Sequence, residues 1–197
     1  CAGGGGKTLE LAALMDNSGQ IYATDADARR LAPIHDRLTR AGVRNVQVRT
    51  PKGRGDEPLA DLAGRIDLVL VDAPCTGIGT WRRNPDTKWR VRPGALDERM
   101  KDQDLVLARA ERLVKPGGRI AYVTCSVLPR ENDERIAAFL AAHANFASVD
   151  PREVLALAPD TLSERDDLVS PAGLGLQLSP LRTGTDGFYL AIVERRA

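Results

Sequence analysis

The stretch Ile66-Asp67-Leu68-Val69-Leu70-Val71 is a nearly continuous apolar run that leads into Asp72. A strand buried on both faces has this composition, because both of its rows of side chains must be apolar, and such strands belong to parallel sheets covered by helices. Toward the C-terminus, residues near Leu96 to Val114 read as a helix closed by Lys115-Pro116-Gly117-Gly118. Arg119 to Thr124 is the next strand, Arg130 to His143 another helix, and Gly187 to Val193 a final strand. Toward the N-terminus, a loop of Gly, Pro and charged residues from Pro51 to Pro58 separates the apolar run from a short strand, Val46-Gln47-Val48. Ala26 to Ala41 is helical, with Gly42 as its stop. Gln20 to Thr24 is a β-prone run ending at Asp25, and Leu9 to Met15 is the helix leaving a glycine-rich turn. Strands alternating with helices mark an α/β chain with a parallel sheet, read here as one doubly wound domain. In such sheets ligands bind beyond the carboxyl ends of the strands. Those ends carry the glycine-rich turn, Asp25, Asp72 to Cys75, and Thr124 with Cys125.

Bulk properties narrow the class. A chain of 197 residues can bury a full core without disulfide support. Its three cysteines are odd in number and form no CxxC or CxxH pair, which argues against a disulfide framework or a zinc site and for a reducing, cytoplasmic setting. No run approaches the roughly 20 apolar residues of a membrane span, and no signal peptide is visible. The net charge of +1 does not by itself announce nucleic-acid binding. The chain opens at Cys1 and runs straight into a glycine-rich turn that normally follows a strand, so an N-terminal part is expected to be missing.

The strand-end loops suggest chemistry. Gly3-Gly4-Gly5-Gly6 lets a backbone approach a ligand closely, and Asp25, at the end of the next strand, can accept hydrogen bonds from a ribose diol. The alternatives are a structural turn and a helix cap for the helix starting near Ala26. Gly6-Lys7-Thr8 imitates the end of a P-loop, but the position of the first P-loop glycine holds Cys1. Cys75, in Asp72-Ala73-Pro74-Cys75-Thr76-Gly77, and Cys125, in Thr124-Cys125-Ser126, each sit just past a strand. Free cysteines commonly fill cores, yet strand-end loops are where substrates meet this fold. The positions that would complete a cysteine-phosphatase loop hold Trp81 and Glu131, and His35 and His143 lie in expected helices, so neither a phosphatase nor a cysteine–histidine hydrolase fits.

These motifs resemble those of the Fmu/Sun family of RNA 5-methylcytosine methyltransferases. The resemblance rests on Cys1 to Thr8, Asp72 to Gly77 and Thr124-Cys125-Ser126. Arg83 to Trp89, Arg130-Glu131-Asn132 and Thr185 to Tyr189 add further matches, in order over nearly the whole chain. It implies a Rossmann-like S-adenosylmethionine-dependent methyltransferase fold, with a mostly parallel sheet and an antiparallel C-terminal strand. It also implies one catalytic domain over residues 1–197. By resemblance Cys125 is the nucleophile that adds to carbon 6 of cytosine, and Cys75 assists its elimination. Asp72 then faces the base, and Lys7 holds Asp72 or the substrate. The cofactor contacts implied are Cys1, Ala2, Gly3, Gly4, Gly5, Gly6, Lys7, Asp25, Arg30 and Asp72. Two departures stand out: Gly4 replaces the motif's usual proline, and Arg49-Thr50-Pro51 lacks the acid that relatives place near the adenine.

One stretch, Trp81 to Arg92, is both basic and aromatic. Cations hold phosphates and tryptophans stack on splayed bases, so Trp81, Arg82, Arg83, Lys88, Trp89 and Arg90 are candidate RNA contacts; a solvated loop with structural tryptophans is the alternative. The expected partner is RNA, ribosomal rather than transfer RNA by resemblance, with no metal and no membrane. A catalytically silent RNA-binding module that keeps the same fold is the rival reading. Oligomeric state is not legible.

Overall fold

In the computed structural model, which describes residues 1–53 and 56–197, helices and strands alternate much as the apolar runs require. The middle of the Pro51–Pro58 loop lies outside the described residues. The chain divides into two compact units, Cys1–Leu62 and Ala63–Ala197.

The first unit contains α1 (Gly6–Leu14), β1 (Ile21–Ala23), α2 (Ala28–Leu31), α3 (Ile34–Arg40) and β2 (Val46–Val48). β1 and β2 pair in parallel, Ile21 opposite Val46 and Ala23 opposite Val48. The single helix expected over Ala26–Ala41 is two helices. Pro33 is the reason: it has no amide hydrogen to continue the helical ladder, so it ends one helix and opens the next. Ala23, Leu31, Ile34 and Leu38 are buried together, with Leu9, Val46 and Val48 packed against them. Each buried Leu or Ile contributes about 2 kcal/mol, which fastens α3 beneath the glycine-rich turn.

The second unit contains β3 (Ile66–Asp72), α4 (Ala95–Leu113), β4 (Val114–Thr124), α5 (Asp133–Ala142), β5 (Phe146–Ser148), α6 (Pro151–Leu155), α7 (Asp160–Ser163), β6 (Leu176–Leu178), α8 (Pro180–Thr183) and β7 (Phe188–Arg195). Its sheet has the order β3-β4-β7-β5, with β6 also on β7. β3 and β4 are parallel, and the C-terminal β7 runs antiparallel to β4, β5 and β6, as expected for the last strand. Val71, Leu107, Ile120, Tyr122, Ile136 and Val193 belong to the core between this sheet and its helices.

Two expectations need correction. β3 is not buried along its whole length: Leu68 is 48% exposed in this chain, while Val71 is buried. Nor does Lys115-Pro116-Gly117-Gly118 precede the strand as a separate turn. Val114 pairs with Ile66 and Arg119 with Leu68, so these four residues bulge out of a ladder that resumes on their far side.

Candidate active site

Parallel pairing explains how two cysteines 50 residues apart come to meet. Asp72 lies opposite Val123, so β3 and β4 end side by side and release their loops at the same edge. Cys75 Sγ and Cys125 Sγ are 3.3 Å apart, hydrogen-bond distance for sulfur. The bond from Cys75 lowers the Cys125 thiol to about 7, against the opposing effects of burial and the negative charges of Asp72 and Glu131. The same bond, with burial, pushes Cys75 up, so Cys75 keeps its proton. Once Cys125 ionises, the proton that remains stays on Cys75 and bonds the thiolate, so the pair presents a thiolate on Cys125 in about half of the molecules at pH 7. Asp72, at the end of β3, is partly buried beside this pair.

A fully buried carboxylate, Glu131, stands behind the cysteines. One of its oxygens accepts from Thr76 N at 2.8 Å and Gln103 Nε2 at 3.1 Å. The other accepts from Thr76 Oγ1 at 2.6 Å and Ser126 Oγ at 2.5 Å. Asn132, next in the chain, accepts from Thr124 Oγ1 at 2.6 Å and donates to Ser126 O at 3.1 Å. The sequence offers no sign of this role beyond the Arg130-Glu131-Asn132 motif, because an acid in a short turn normally faces solvent.

Gly79 packs against the backbone of Cys125. Its N–H donates to Cys125 O at 3.0 Å, and its carbonyl accepts from Gly187 N at 2.8 Å. A Cβ here would lie 2.3 Å from Gly187 O and 2.8 Å from Cys125 O, both backbone atoms. Gly79→Ala is therefore expected to cost about 1–3 kcal/mol, lowering the thermal unfolding midpoint by about 2–12 °C in a calorimetric scan.

The basic, aromatic stretch divides between anchoring and display. Arg83 Nε donates to Asp186 Oδ2 at 2.5 Å, and Arg82 Nε lies 3.6 Å from Asp186 Oδ1. Asp186 itself is buried, so these arginines tie the stretch to the loop before β7. Trp81 is partly buried, with its indole nitrogen enclosed. Trp89, by contrast, is 80% exposed, with Lys88 Nζ 4.7 Å from its ring centre, and Arg90 is exposed beside them.

In the first unit, the turn from Cys1 to Gly6 runs into α1, where Lys7 is exposed. Gly5 takes φ +83°, and a Cβ there would lie 2.4 Å from Ile34 Cγ1, so glycine is required. At Gly3 and Gly6 an added Cβ meets nothing within 4 Å, which leaves space over the turn. Asp25 is 5% exposed and accepts from Gly3 N at 2.9 Å and Asp27 N at 3.0 Å. Burial pushes its carboxyl up, but these bonds and positive charges including that of Arg30 hold it below the usual range. The helix cap is supplied instead by Asp27, which accepts from Arg29 N. Beyond β2, Arg49 stacks 4.8 Å from the Tyr22 ring centre and donates to Asp61 Oδ1 at 2.5 Å. With Thr50, Lys52, Asp56 and Pro58 it lines a cavity of about 340 Å³.

Among the described residues no cluster of His, Cys, Asp or Glu is arranged to hold a metal, and no helix is long and apolar enough to cross a membrane.

Comparison with known proteins places the chain in a family. The chain is 39% identical over 193 residues to ribosomal RNA small subunit methyltransferase B of Sodalis glossinidius, covering 97% of this chain and 40% of the relative. It is 31% identical over 199 residues to a probable ribosomal RNA small subunit methyltransferase B of Bacillus subtilis, covering 100% of this chain and 42% of the relative. The chain thus spans about two fifths of the length of the curated relatives it matches. Among solved structures, PH0851 superimposes with a TM-score of 0.84 at 36% identity, over 99% of this chain and 41% of that one. NSun6 from Pyrococcus horikoshii, solved with SFG, gives a TM-score of 0.74 at 22% identity, over 100% of this chain and 47% of that one, a likeness of fold. The fold is that of S-adenosylmethionine-dependent methyltransferases. The profile of the 16S rRNA methyltransferase RsmB/F family matches residues 1–194, and the chain belongs to that family.

Proposed function

We propose that residues 1–197 form the catalytic domain of an RNA (cytosine-5) methyltransferase acting on 16S ribosomal RNA through a covalent Cys125–cytosine adduct. The observation that carries this reading is the pair of thiols at adjacent strand ends, 3.3 Å apart, with Cys125 lowered to about 7. Carbon 5 of cytosine is a weak nucleophile while the ring stays conjugated. Addition of Cys125 Sγ to carbon 6 breaks that conjugation and makes carbon 5 reactive, dividing one hard step into two easier ones. The negative charge that thiolate addition puts on the ring is met by protonation at its N3 from solvent; the Asp72 carboxylate accepts a hydrogen bond from the base's N–H groups and so orients it, and Cys75 hydrogen-bonds the sulfur. The target cytosine must leave any stack to reach the thiol, so single-stranded or flipped RNA is the substrate form. Trp89, Lys88 and Arg90, exposed together, suit stacking and phosphate contact better than the half-buried Trp81. Arg82 and Arg83, tied to Asp186 yet half exposed, add positive charge to the same stretch.

S-adenosylmethionine, when bound, supplies an electrophilic methyl group. The residues of the first unit fit its nucleoside. Each Asp25 oxygen takes one backbone N–H and has acceptor capacity over for a ribose hydroxyl, and the open backbone at Gly3 and Gly6 leaves room beside it. Cys1, Ala2, Gly4, Gly5, Lys7 and Arg30 complete that contact set. SFG, found with NSun6, is an analogue of the same molecule. Asp25→Ala is expected to weaken S-adenosylmethionine binding about 10–100-fold in titration calorimetry, the cost of losing charged hydrogen bonds.

The direct test is transfer of labelled methyl from S-adenosylmethionine to 16S ribosomal RNA and to transfer RNA, with the product base identified by mass spectrometry. 5-Methylcytosine in ribosomal RNA supports the reading. Tight RNA binding without methylation, and without a covalent adduct on 5-fluorocytosine RNA, would show a silent binding module instead.

A further inference from the structure

We propose that Glu131 is a positioning residue whose carboxylate clasps the two cysteine loops together and sets the separation of Cys75 Sγ from Cys125 Sγ. This rests on the methyltransferase reading above. Thr76 follows Cys75 and Ser126 follows Cys125, and both donate to Glu131. Gln103 joins the same carboxylate from α4 and also donates to Pro74 O at 3.0 Å, directly before Cys75. Tyr122 fixes Glu131 from β4, its hydroxyl donating to the Glu131 carbonyl at 2.7 Å. Glu131 is fully buried, as are Gln103 and Ser126, so the bonds are shielded from water and hold their geometry.

The clasp has a cost that explains its form. A buried negative charge near Cys125 opposes a thiolate there, and Glu131 does push the Cys125 thiol up. Asp72 does the same from the end of β3. Four donors on Glu131 spread its charge, and the bond from Cys75 outweighs the repulsion. Holding the sulfurs at 3.3 Å therefore contributes more to forming the thiolate than the carboxylate's charge takes away.

Charge and clasp can be separated by substitution. In Glu131→Gln the amide oxygen can take the Thr76 N and Gln103 Nε2 bonds, while its NH₂ donates to the Thr76 and Ser126 hydroxyls, which rotate to accept. In Glu131→Ala all four bonds are lost. The experiment is the pH profile of Cys125 alkylation by iodoacetamide, resolved by mass spectrometry from Cys75 and Cys1, on the 197-residue chain. The wild-type midpoint is expected near 7. Glu131→Gln is expected at or below it, and Glu131→Ala higher by about one unit or more, toward the ordinary thiol value of roughly 8.5. Thr76→Val and Ser126→Ala each remove one hydroxyl donor and are expected to move the midpoint upward by less; they decide the question if Glu131→Ala does not fold. A Glu131→Ala profile that coincides with wild type, or, where that variant does not fold, two unshifted hydroxyl variants, overturns the clasp. So does a Glu131→Gln profile that rises as far as that of Glu131→Ala. The measurement needs neither RNA nor methyl donor, so it stands apart from any failure to methylate.

Discussion

Cys125→Ser is expected to lose methyl transfer by about 10⁴-fold or more, as removal of a covalent nucleophile does elsewhere, and to form no adduct with 5-fluorocytosine RNA. A serine hydroxyl keeps the size and a hydrogen bond, but it ionises far above neutral pH and cannot replace a thiolate lowered to about 7. The same value fixes the pH dependence of the native chain. The reactive form is the deprotonated one, so the single-turnover rate should climb about tenfold per unit below pH 7 and level off above it. The measurement is single-turnover methylation from pH 5.5 to 9, with RNA binding monitored in parallel. Undiminished turnover by Cys125→Ser would remove the residue from the mechanism. A flat wild-type profile would mean that its thiol does not titrate in the range its surroundings imply.

Much of this site is legible before any coordinate is known, because strand ends in a parallel sheet are predictable places. The runs ending at Asp72 and Thr124 are strong strand signals, and two parallel neighbours release their loops at one edge, so Cys75 and Cys125 could be singled out from the order of residues. What stayed hidden depends on convergence of distant segments. Phe146–Ser148 and Leu176–Leu178 are strands only because β7 offers them an antiparallel edge; three residues carry no periodic pattern. The division of Ala26–Ala41 is local, and Pro33 marks it, but the apolar spacing on either side conceals the break. Glu131 is the clearest loss. Its burial follows from Thr76, Gln103 and Ser126 meeting around it, and nothing in the turn Pro129–Glu131 announces them. The basic stretch was legible as a whole, but not its division into Arg83, bound to Asp186, and Trp89, open to solvent.

Cys75→Ala is expected to accumulate a covalent RNA–protein complex, visible as a slow band on a denaturing gel, while net turnover falls. The reason lies in the bond between the sulfurs. Product release requires loss of the carbon-5 proton to a base, re-formation of the carbon 5–carbon 6 double bond, and departure of Cys125 with the electrons of the carbon–sulfur bond. A thiol that is more acidic is a better leaving group. The hydrogen bond from Cys75 makes Cys125 more acidic, so it favours the thiolate both before attack and at expulsion. Without Cys75, Cys125 returns toward the ordinary value of roughly 8.5, and its thiolate fraction at pH 7 falls from about half to a few per cent. Attack then slows by about tenfold at pH 7, and expulsion slows as well. Raising the pH to 9 restores the attacking thiolate but not the donor that assists its departure. The complex should therefore form faster at pH 9 than at pH 7 in Cys75→Ala and persist, whereas the native chain clears it at both. A Cys75→Ala protein free of adduct at both values would remove Cys75 from release and leave it only the role of an acidifying neighbour.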